Sequence, residues 1–338
     1  DKKKIELLQR CHPDYKDSAF RNLRVGVNKE DRVTHEFADL LESYSDLDYS
    51  KIDLQPEHTT DVLVLGGGGA GVTAALCAES MGAKVLLATK LRLGNSNTIM
   101  ALGGMQSSVA EDDSPIRHFA DTMIAGKFSG QKKLVKAMVE DGPGAVKWLL
   151  DIGVNFDRDE NGELATKKAG GLSVPRILSI GDHTGLNIMK VLKDELRKSD
   201  HIEISEFTPA VELTTNEFGE CNGAILFDLG RKRHFVVKAK AVVLATGGAG
   251  RLHNQGFPTS NNFGATGDAV VLAYRAGARL EGLDSFQYHP TGVMFPDHMV
   301  GVLVTEAIRS LGAHLVNVKG DRFVNELETR DVCAAAII

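Results

Sequence analysis

The stretch TDVLVLGGGGAGVTAALCAESMGAKVLLATK, residues 60–90, decides how the rest of the chain is read. Its apolar run at 62–65 has the form of a buried parallel strand. The run stops at GGGGAG, in which Gly66, Gly68 and Gly71 make G-x-G-x-x-G. A helix follows with Val72, Ala75, Leu76 and Ala78 on its inner face, Gly82 ends it, and residues 83–88 form a second strand. Gly66 permits the tight turn, Gly68 lets the backbone approach a pyrophosphate, and Gly71 lets helix and strand pack closely. The free N–H groups at the helix start then face phosphate oxygens. In strand–turn–helix–strand order the pattern points to a bound dinucleotide; a glycine-rich turn without ligand is the simpler alternative. About 20 residues on, where NAD-binding chains carry an acid, stand Thr89 and Lys90. A threonine hydroxyl still suits a ribose hydroxyl, so the dinucleotide reading survives while the NAD-specific one is weakened.

At 338 residues the chain can bury a large core and hold more than one structural unit. Charged residues at 25% and hydrophobic ones at 43% are ordinary for a soluble globular protein. A net charge of −6 leaves no basic footprint for nucleic acid. No apolar run approaches a membrane span and no N-terminal stretch has signal-peptide form. The expectation is a cytoplasmic protein, with any membrane association made through partner subunits. Cys11, Cys77, Cys221 and Cys333 are widely spaced and form no C-x-x-C. No local zinc or iron–sulfur site, and no bound metal, is expected from them; they suit a reducing compartment. The chain opens on Asp1 rather than methionine, so further residues are expected upstream.

Residues 1–58 are polar and read as an extension with one short helix at 37–44 and no assigned chemistry. Residues 91–108 form a loop of glycine and small polar residues. It brings N–H groups and hydroxyls without bulky walls, which suits a second pass along a dinucleotide. Helices are expected through 116–152, on apolar Leu134, Ala137, Met138, Val146, Leu149 and Leu150, and again at 186–198. Residues 202–213 and 223–237 read as strands, with a hairpin turn at 229–232. Residues 238–250, KAKAVVLATGGAG, read as a further buried strand returning to the parallel sheet. Asp268 opens a helix over 269–276, where its carboxylate suits a cap or a cofactor hydroxyl. Glu306 and Arg309 share a helix face, either as a surface salt bridge or as part of a site. His289 stands before Pro290, as turn histidines do.

Taken together, GGGGAG at 66–71, SNTIMALGG at 96–104, GDHTG at 181–185, ATGGAG at 245–250, ATGD at 265–268, QYHPTG at 287–292, VTEAIR at 304–309, RFVNE at 322–326 and TRD at 329–331 form an ordered set. On these residues the chain, from about Asp61 onward, resembles the FAD-dependent flavoproteins of the fumarate reductase and succinate dehydrogenase family. That family also includes L-aspartate oxidase and adenylylsulfate reductase.

The resemblance implies an α/β fold: a Rossmann-like FAD-binding domain with a three-layer nucleotide core over 59–285, then an α+β capping domain beginning at 286. It implies bound FAD, with Gly66, Gly67, Gly68, Gly69, Ala70 and Gly71 at the pyrophosphate and Thr89 and Lys90 near the adenosine ribose. Asn95, Ser96, Asn97, Thr98, Ala101, Gly103 and Gly104 would line the flavin, with Val211, Thr246, Gly247 and Asp268 as further contacts. Membrane-bound members attach FAD to a histidine just before the threonine of the SNT-like segment. Asn97 stands there in this chain, which implies a non-covalent flavin of lower potential, better suited to reducing a C=C bond than to oxidising succinate.

For the chemistry, the resemblance implies that His289 and Thr305 bind substrate carboxylate with Glu306 beside them. Arg330 would give a proton to one carbon, Glu306 and Arg309 would relay it, and the flavin N5 would pass a hydride to the other carbon. Such a substrate needs cationic and hydroxyl partners, and the developing carbanion needs preorganised positive charge. Two departures stand out: Leu172 replaces the histidine of the family's GGHS segment, and members are usually much longer. The chain is therefore expected to be a C-terminally truncated fragment, impaired in FAD binding and activity. Two other roles fit the resemblance. One is amino-acid oxidation of the L-aspartate oxidase kind. The other is the flavin-bearing component of an electron-transfer complex, fed by an iron–sulfur partner or a soluble reductant.

Overall fold

The computed structural model describes residues 2–338. Up to the glycine loop the chain forms α1 (Lys2–Cys11), β1 (Phe20–Asn22), β2 (Arg32–Thr34), α2 (His35–Leu41) and β3 (Pro56–Leu65). The loop leads into α3 (Gly69–Ser80) and β4 (Val85–Ala88), then β5 (Met105–Gln106), α4 (Pro115–Ala125) and α5 (Lys132–Asp151). Next come β6 (Thr166–Lys167), β7 (Ile177–Leu178), α6 (Thr184–Leu196), β8 (Ile202–Ser205), β9 (Ala210–Thr215), β10 (Cys221–Asp228) and β11 (Arg233–Leu244). The last helices are α7 (Asp268–Arg275), α8 (Glu306–Ser310) and α9 (Arg330–Ile337).

Two compact units divide these elements. The first joins Asp17–Met100 to Met189–Phe286; the second joins residues 2–16, Ala101–Ile188 and Gln287–Ile338. This cut differs from the linear division expected at 58 and 285. Residues 101–188 cluster with residues 287–338, and the N-terminal extension is split at residue 16.

The first unit is built on a six-stranded sheet in the order β8-β4-β3-β11-β10-β9. β8, β4, β3 and β11 run parallel, while β11, β10 and β9 pair antiparallel. Leu63, Val64 and Leu65 are almost fully buried, as are Leu86 and Leu87 beside them. Burial on both faces explains why these strands read as continuous apolar runs. Leu63, Leu65, Leu86 and Ala88 join Leu226 and Val237 in one cluster, each large side chain there contributing about 1.5–3 kcal/mol by burial. Helix α3 packs on β3 and β4, with Val72 and Ala75 buried. Leu76 is only half-buried and Ala78, expected on the same inner face, is likewise half-buried.

Two strand expectations change. The run at 202–213 is broken, because Phe207 adopts φ +54 and Pro209 offers no N–H to a ladder. Its halves, β8 and β9, end on opposite edges of the sheet. Conversely, the runs expected at 223–237 and 238–250 share one strand, β11. No turn residue interrupts it, and Val237, Lys238 and Ala239 alternate buried, exposed, buried. Its last residues, Val242 to Leu244, are half-buried rather than buried.

The segment 17–58 is structural. β1 and β2 pair antiparallel, and Phe37, Ala38 and Leu41 of α2 pack with Leu23, Val33 and Tyr274. The second unit carries a three-stranded sheet in the order β5-β7-β6, with α4 packed on α5 and α1 packed on α9. Along α5 the buried residues are Val139, Val146 and Leu149, whereas Leu134 and Met138, apolar positions of the same helical spacing, are 65% and 52% exposed. The side chain of Arg176 is fully buried, forked onto Asp113 at 2.9 and 3.0 Å and within 2.8 Å of Asp121.

Candidate functional site

The glycine loop lines a cavity of about 390 Å³ within the first unit. Its wall is mostly backbone. Gly66 sits at φ +124, and a Cβ added there would lie 2.2 Å from Ala245 O. At Gly67 the added atom would meet Thr89, and at Gly68 and Gly69 it would crowd Ser96 and Thr98. Gly71 faces away from the wall toward the Gly66 carbonyl, 1.8 Å from where a Cβ would stand, so it sets the approach of helix to strand. Gly68 is the N-cap of α3 and has no side chain to bond the first turn. Thr98 Oγ1 accepts the Gly69 N–H at 3.1 Å, and Ala70, next in the turn, lines the cavity. A helix start supplies N–H groups without intrahelical partners and a partial positive charge. This donor set fits a pyrophosphate.

Polar side chains complete the wall. Lys90 Nζ is 2.7 Å from Asp268 Oδ2 and also donates to Thr266 Oγ1 at 2.7 Å and Gly264 O at 3.1 Å. Thr266 in turn donates to Asp268 Oδ1 at 2.6 Å. The acid absent from the end of β4 is therefore present at the same cavity from another element, ion-paired to the lysine in its place. Asp268 does not cap α7: Gly267 holds that position at φ +71, and Thr246 Oγ1 accepts the Ala269 N–H at 2.8 Å. Asn97 is held by amides on both sides, donating to Asn261 Oδ1 at 2.8 Å and accepting from the Asn262 N–H at 2.6 Å. Asn262 reaches Asn95 as well, at 2.6 Å. An amide nitrogen is no nucleophile, so residue 97 cannot carry a flavin covalently.

Of the residues expected at a cofactor, Gly66 to Ala70, Thr89, Lys90, Asn95 to Thr98, Thr246, Gly247 and Asp268 line this cavity. Val211 does not. It packs beside Ile52, Ile225 and Val236, and its neighbour Ala210 lines the cavity instead, because successive strand residues point to opposite faces. Ala101, Gly103 and Gly104 belong to the second unit and are not part of the wall. Gly104, at φ +125, lies against the Leu178 backbone. Sequence reasoning missed Thr208, Ala210 and Asn262.

The second unit gathers the remaining candidates around Glu306. Thr305 caps α8, its Oγ1 accepting the Ala307 N–H at 3.4 Å. Arg330 opens α9, and its Nε and Nη2 lie 3.1 and 3.0 Å from Glu306 Oε2. Its Nη1 donates to Gln287 Oε1 at 2.9 Å. Arg309 Nη2 is 3.4 Å from the same Glu306 oxygen, so one carboxylate oxygen faces two guanidiniums. Arg309 is 5% exposed, which removes the surface salt-bridge reading. Its Nη1 donates to Glu326 O at 2.7 Å, while Nε and Nη2 have no hydrogen-bond partner among the described residues. Glu326, itself buried, is clasped by Arg322 at 2.6 and 3.1 Å and accepts the Leu315 N–H at 2.8 Å. The Arg322 fork is the main reason its carboxyl is lowered to about 2. Neither Glu326 nor Gln287 was singled out from sequence, though both stand inside recognisable motifs.

His289 belongs to the same unit. Burial first, and the Arg330 cation second, lower its imidazole to about 4, so it is neutral near pH 7. Its Nδ1 lies 3.3 Å from Thr291 N and 3.1 Å from Thr291 O. Either tautomer is satisfied locally, and a carboxylate at Nε2 selects the form in which Nε2 carries the hydrogen.

Among the described residues, no group of three or more His, Cys, Asp and Glu could hold a metal ion. No helix there is long and apolar enough to cross a membrane.

Comparison with known proteins agrees with the cavity. The family described as FAD binding domain matches residues 61–338. Over 289 residues the chain is 38% identical to the L-aspartate oxidase of Streptomyces coelicolor, covering 82% of this chain and 49% of the relative. Over 287 residues it is 36% identical to a component of the fumarate reductase (CoM/CoB) of Methanothermobacter marburgensis, covering 82% and 52%. Among solved structures, the E. coli quinol fumarate reductase FrdA superposes with a TM-score of 0.77 at 27% identity, covering 83% of this chain and 50% of that one. The chain thus spans about half the length of the curated relatives it matches. With its glycine cradle, helix start and asparagine at position 97, the first unit fits FAD held without a covalent bond. The chain belongs to the FAD binding domain family, among the FAD-dependent oxidoreductases that include fumarate reductase and L-aspartate oxidase.

Proposed function

We propose that the protein reduces the C=C bond of an unsaturated dicarboxylate, with fumarate to succinate as the type reaction. The observation that carries this reading is Glu306 Oε2 shared by Arg330, at 3.0 Å, and Arg309, at 3.4 Å. Gly66 to Ala70, Thr89, Lys90, Asn95 to Thr98, Thr246, Gly247 and Asp268 would hold the cofactor. When bound and reduced, FAD supplies the hydride for one carbon of the double bond.

The chain's own residues handle the rest. Arg330 gives a proton to the second carbon as negative charge develops there. A guanidinium is a very weak acid in water, so the transfer depends on a water-poor site and on a group that returns the proton. Glu306 is in hydrogen-bond reach of Arg330 Nε and Nη2 for that return. Arg309 keeps the Glu306 carboxylate aligned. Neutral His289, through Nε2–H, and the Thr305 hydroxyl bind a substrate carboxylate; Thr305 Oγ1 accepts from the backbone and keeps its own hydrogen to donate. An iron–sulfur partner protein or a soluble reductant would supply the electrons.

The test is anaerobic reoxidation of the dithionite-reduced holoprotein by fumarate. Rapid reoxidation with formation of succinate, lost in Arg330→Ala, supports the reading; fumarate that leaves the reduced flavin untouched removes it. A second reading, oxidation of L-aspartate, is favoured by the relative named L-aspartate oxidase. Consumption of L-aspartate in air, without fumarate turnover, would select it. Co-purification with an iron–sulfur protein would identify the electron donor.

A further inference from the structure

Residues 2–15 precede the part of the chain that matches the FAD binding domain family, yet they belong to the unit that carries Arg330 and His289. Their contacts converge on those residues' neighbours. Helix α1 packs on α9, the helix that Arg330 opens, and Leu8 is 3% exposed. Lys4 Nζ lies 2.8 Å from Glu328 Oε2, two positions before Arg330. Tyr15 Oη lies 3.3 Å from Lys127 Nζ, which is 2.6 Å from Asp331 Oδ2, one position after Arg330. The buried His12 ring stands edge-on to Tyr288, with centroids 5.2 Å apart and planes at 86°. Tyr288 stands between Gln287, which holds Arg330 Nη1, and His289.

Helix α9 buries Val332, Cys333, Ala334 and Ala335, and most helical stability in a folded protein comes from packing of such a face. Its geometry therefore depends on packing, and α1 is one element that supplies it. Arg330 itself, with 42% of its side chain exposed, is fixed by Glu306, by Gln287 and by the course of the helix behind it.

We propose that residues 2–15 are a positioning segment, which sets Arg330 through α9 and sets Gln287 and His289 through Tyr288. The inference rests on the reading of Arg330 as proton donor. None of these residues touches the reacting atoms in this scheme; they act through the groups that do. Misplacement by about 1 Å costs on the order of 10²-fold in rate, so a loosened segment is felt in turnover before it is felt in folding.

The experiment compares Leu8→Asp and Leu8→Met in the full chain, purified with its flavin. Rates are expressed per bound flavin, and amide hydrogen exchange is followed over 286–291 and 326–337. Leu8→Asp is expected to speed exchange in those two windows. It should lower kcat by about 10–100-fold with a smaller change in KM, and leave flavin content unchanged; Leu8→Met is expected to keep both readouts at wild-type values. Normal kcat per flavin despite faster exchange overturns the inference, and so does unchanged exchange. If Leu8→Asp fails to fold, the double variant Lys4→Ala, Tyr15→Ala removes the contacts to Glu328 and Lys127 and the ring contact of Tyr15 with His12. Faster exchange in 326–337, and in 286–291 through the loosened His12 ring, with reduced kcat is then expected, and wild-type values overturn the proposal. Arg330→Ala run alongside separates the two claims. If Arg330→Ala retains fumarate reduction, the proton-donor reading falls and this inference with it. If Arg330→Ala is inactive while the segment variants behave as wild type, the segment alone has been misread.

Discussion

The two candidate regions are made of different material. The cavity of the first unit is a surface of backbone: glycines at 66–69, a helix start and a carbonyl at Ala245. The cluster of the second unit is a set of long charged side chains that meet at one carboxylate oxygen. A backbone wall tolerates little added volume where the chain passes close, at Gly66 above all, but owes little to the charge of any one side chain. A charge cluster tolerates changes of volume but not of ionisation or hydrogen-bonding pattern. Cofactor retention and turnover should therefore be separable by mutation: substitutions in the cluster should leave flavin content intact, and substitutions at the wall should leave turnover per bound flavin intact.

The largest effect is expected at Gly66. An alanine there would be strained at φ +124 and would stand 2.2 Å from Ala245 O. Strain and overpacking together cost about 3 kcal/mol or more. Gly66→Ala should emerge with almost no flavin, read as the ratio of absorbance at the flavin band to that of the protein; a full complement of flavin would remove the cavity from consideration. Arg330→Ala is the converse: flavin content unchanged, and fumarate reduction down by about 10²–10⁴-fold, the usual range for a lost general acid. Loss of flavin in Arg330→Ala would mean that the two regions are not separable.

A third substitution tests the second unit's scaffold. Asp113→Ala strips the forked partner from the fully buried Arg176 side chain. Leaving a buried charge uncompensated costs about 3–5 kcal/mol, so the urea midpoint should fall markedly. Replacing both residues with apolar ones of similar volume should recover most of the loss. A midpoint unmoved by Asp113→Ala would mean that Asp121, 2.8 Å away, compensates Arg176 alone.

These regions were unequally legible in the sequence. The glycine loop could be read because its signals are local: apolar run, glycines at fixed spacing, helix, strand. The break at Phe207 and the continuity of β11 could not, since a positive φ at a phenylalanine and the absence of a turn are settled by pairing, not propensity. Val211 shows how a one-residue choice in a strand turns a cavity contact into a packing contact. The Arg176 fork joins residues 63 apart, a distance over which no periodicity carries information. Arg309 was legible as Glu306's partner at three residues' spacing. Its burial was not, because that follows from Glu326 and α9, elements that sequence does not bring together.

The smallest effect is expected from protons on His289. In the unfolded chain its imidazole titrates near 6.5, and in the folded protein at about 4, by burial first and the Arg330 cation second. Between those values the unfolded state binds more protons, so stability rises with pH across that window and is lost as pH falls from about 6.5 toward 4. Above the window the contribution is constant. The slope stays below the ideal value of about 1.4 kcal/mol per pH unit, because the ring is only partly shielded from solvent. His289→Gln should flatten the acid limb of a denaturation series between about pH 4 and 6.5. The same loss of a proton leaves the ring neutral near pH 7, free to donate from Nε2 to a carboxylate. The Cε1–H resonance of His289 is the direct readout: a midpoint at about 4 in the wild type, moving upward in Arg330→Ala as the neighbouring cation is removed. A wild-type midpoint near 6.5 would break the argument, since the ring would then be exposed and out of reach of the Arg330 charge. Flavin content should be unaffected by His289→Gln, because the glycine wall that holds the cofactor contains no group that this titration touches.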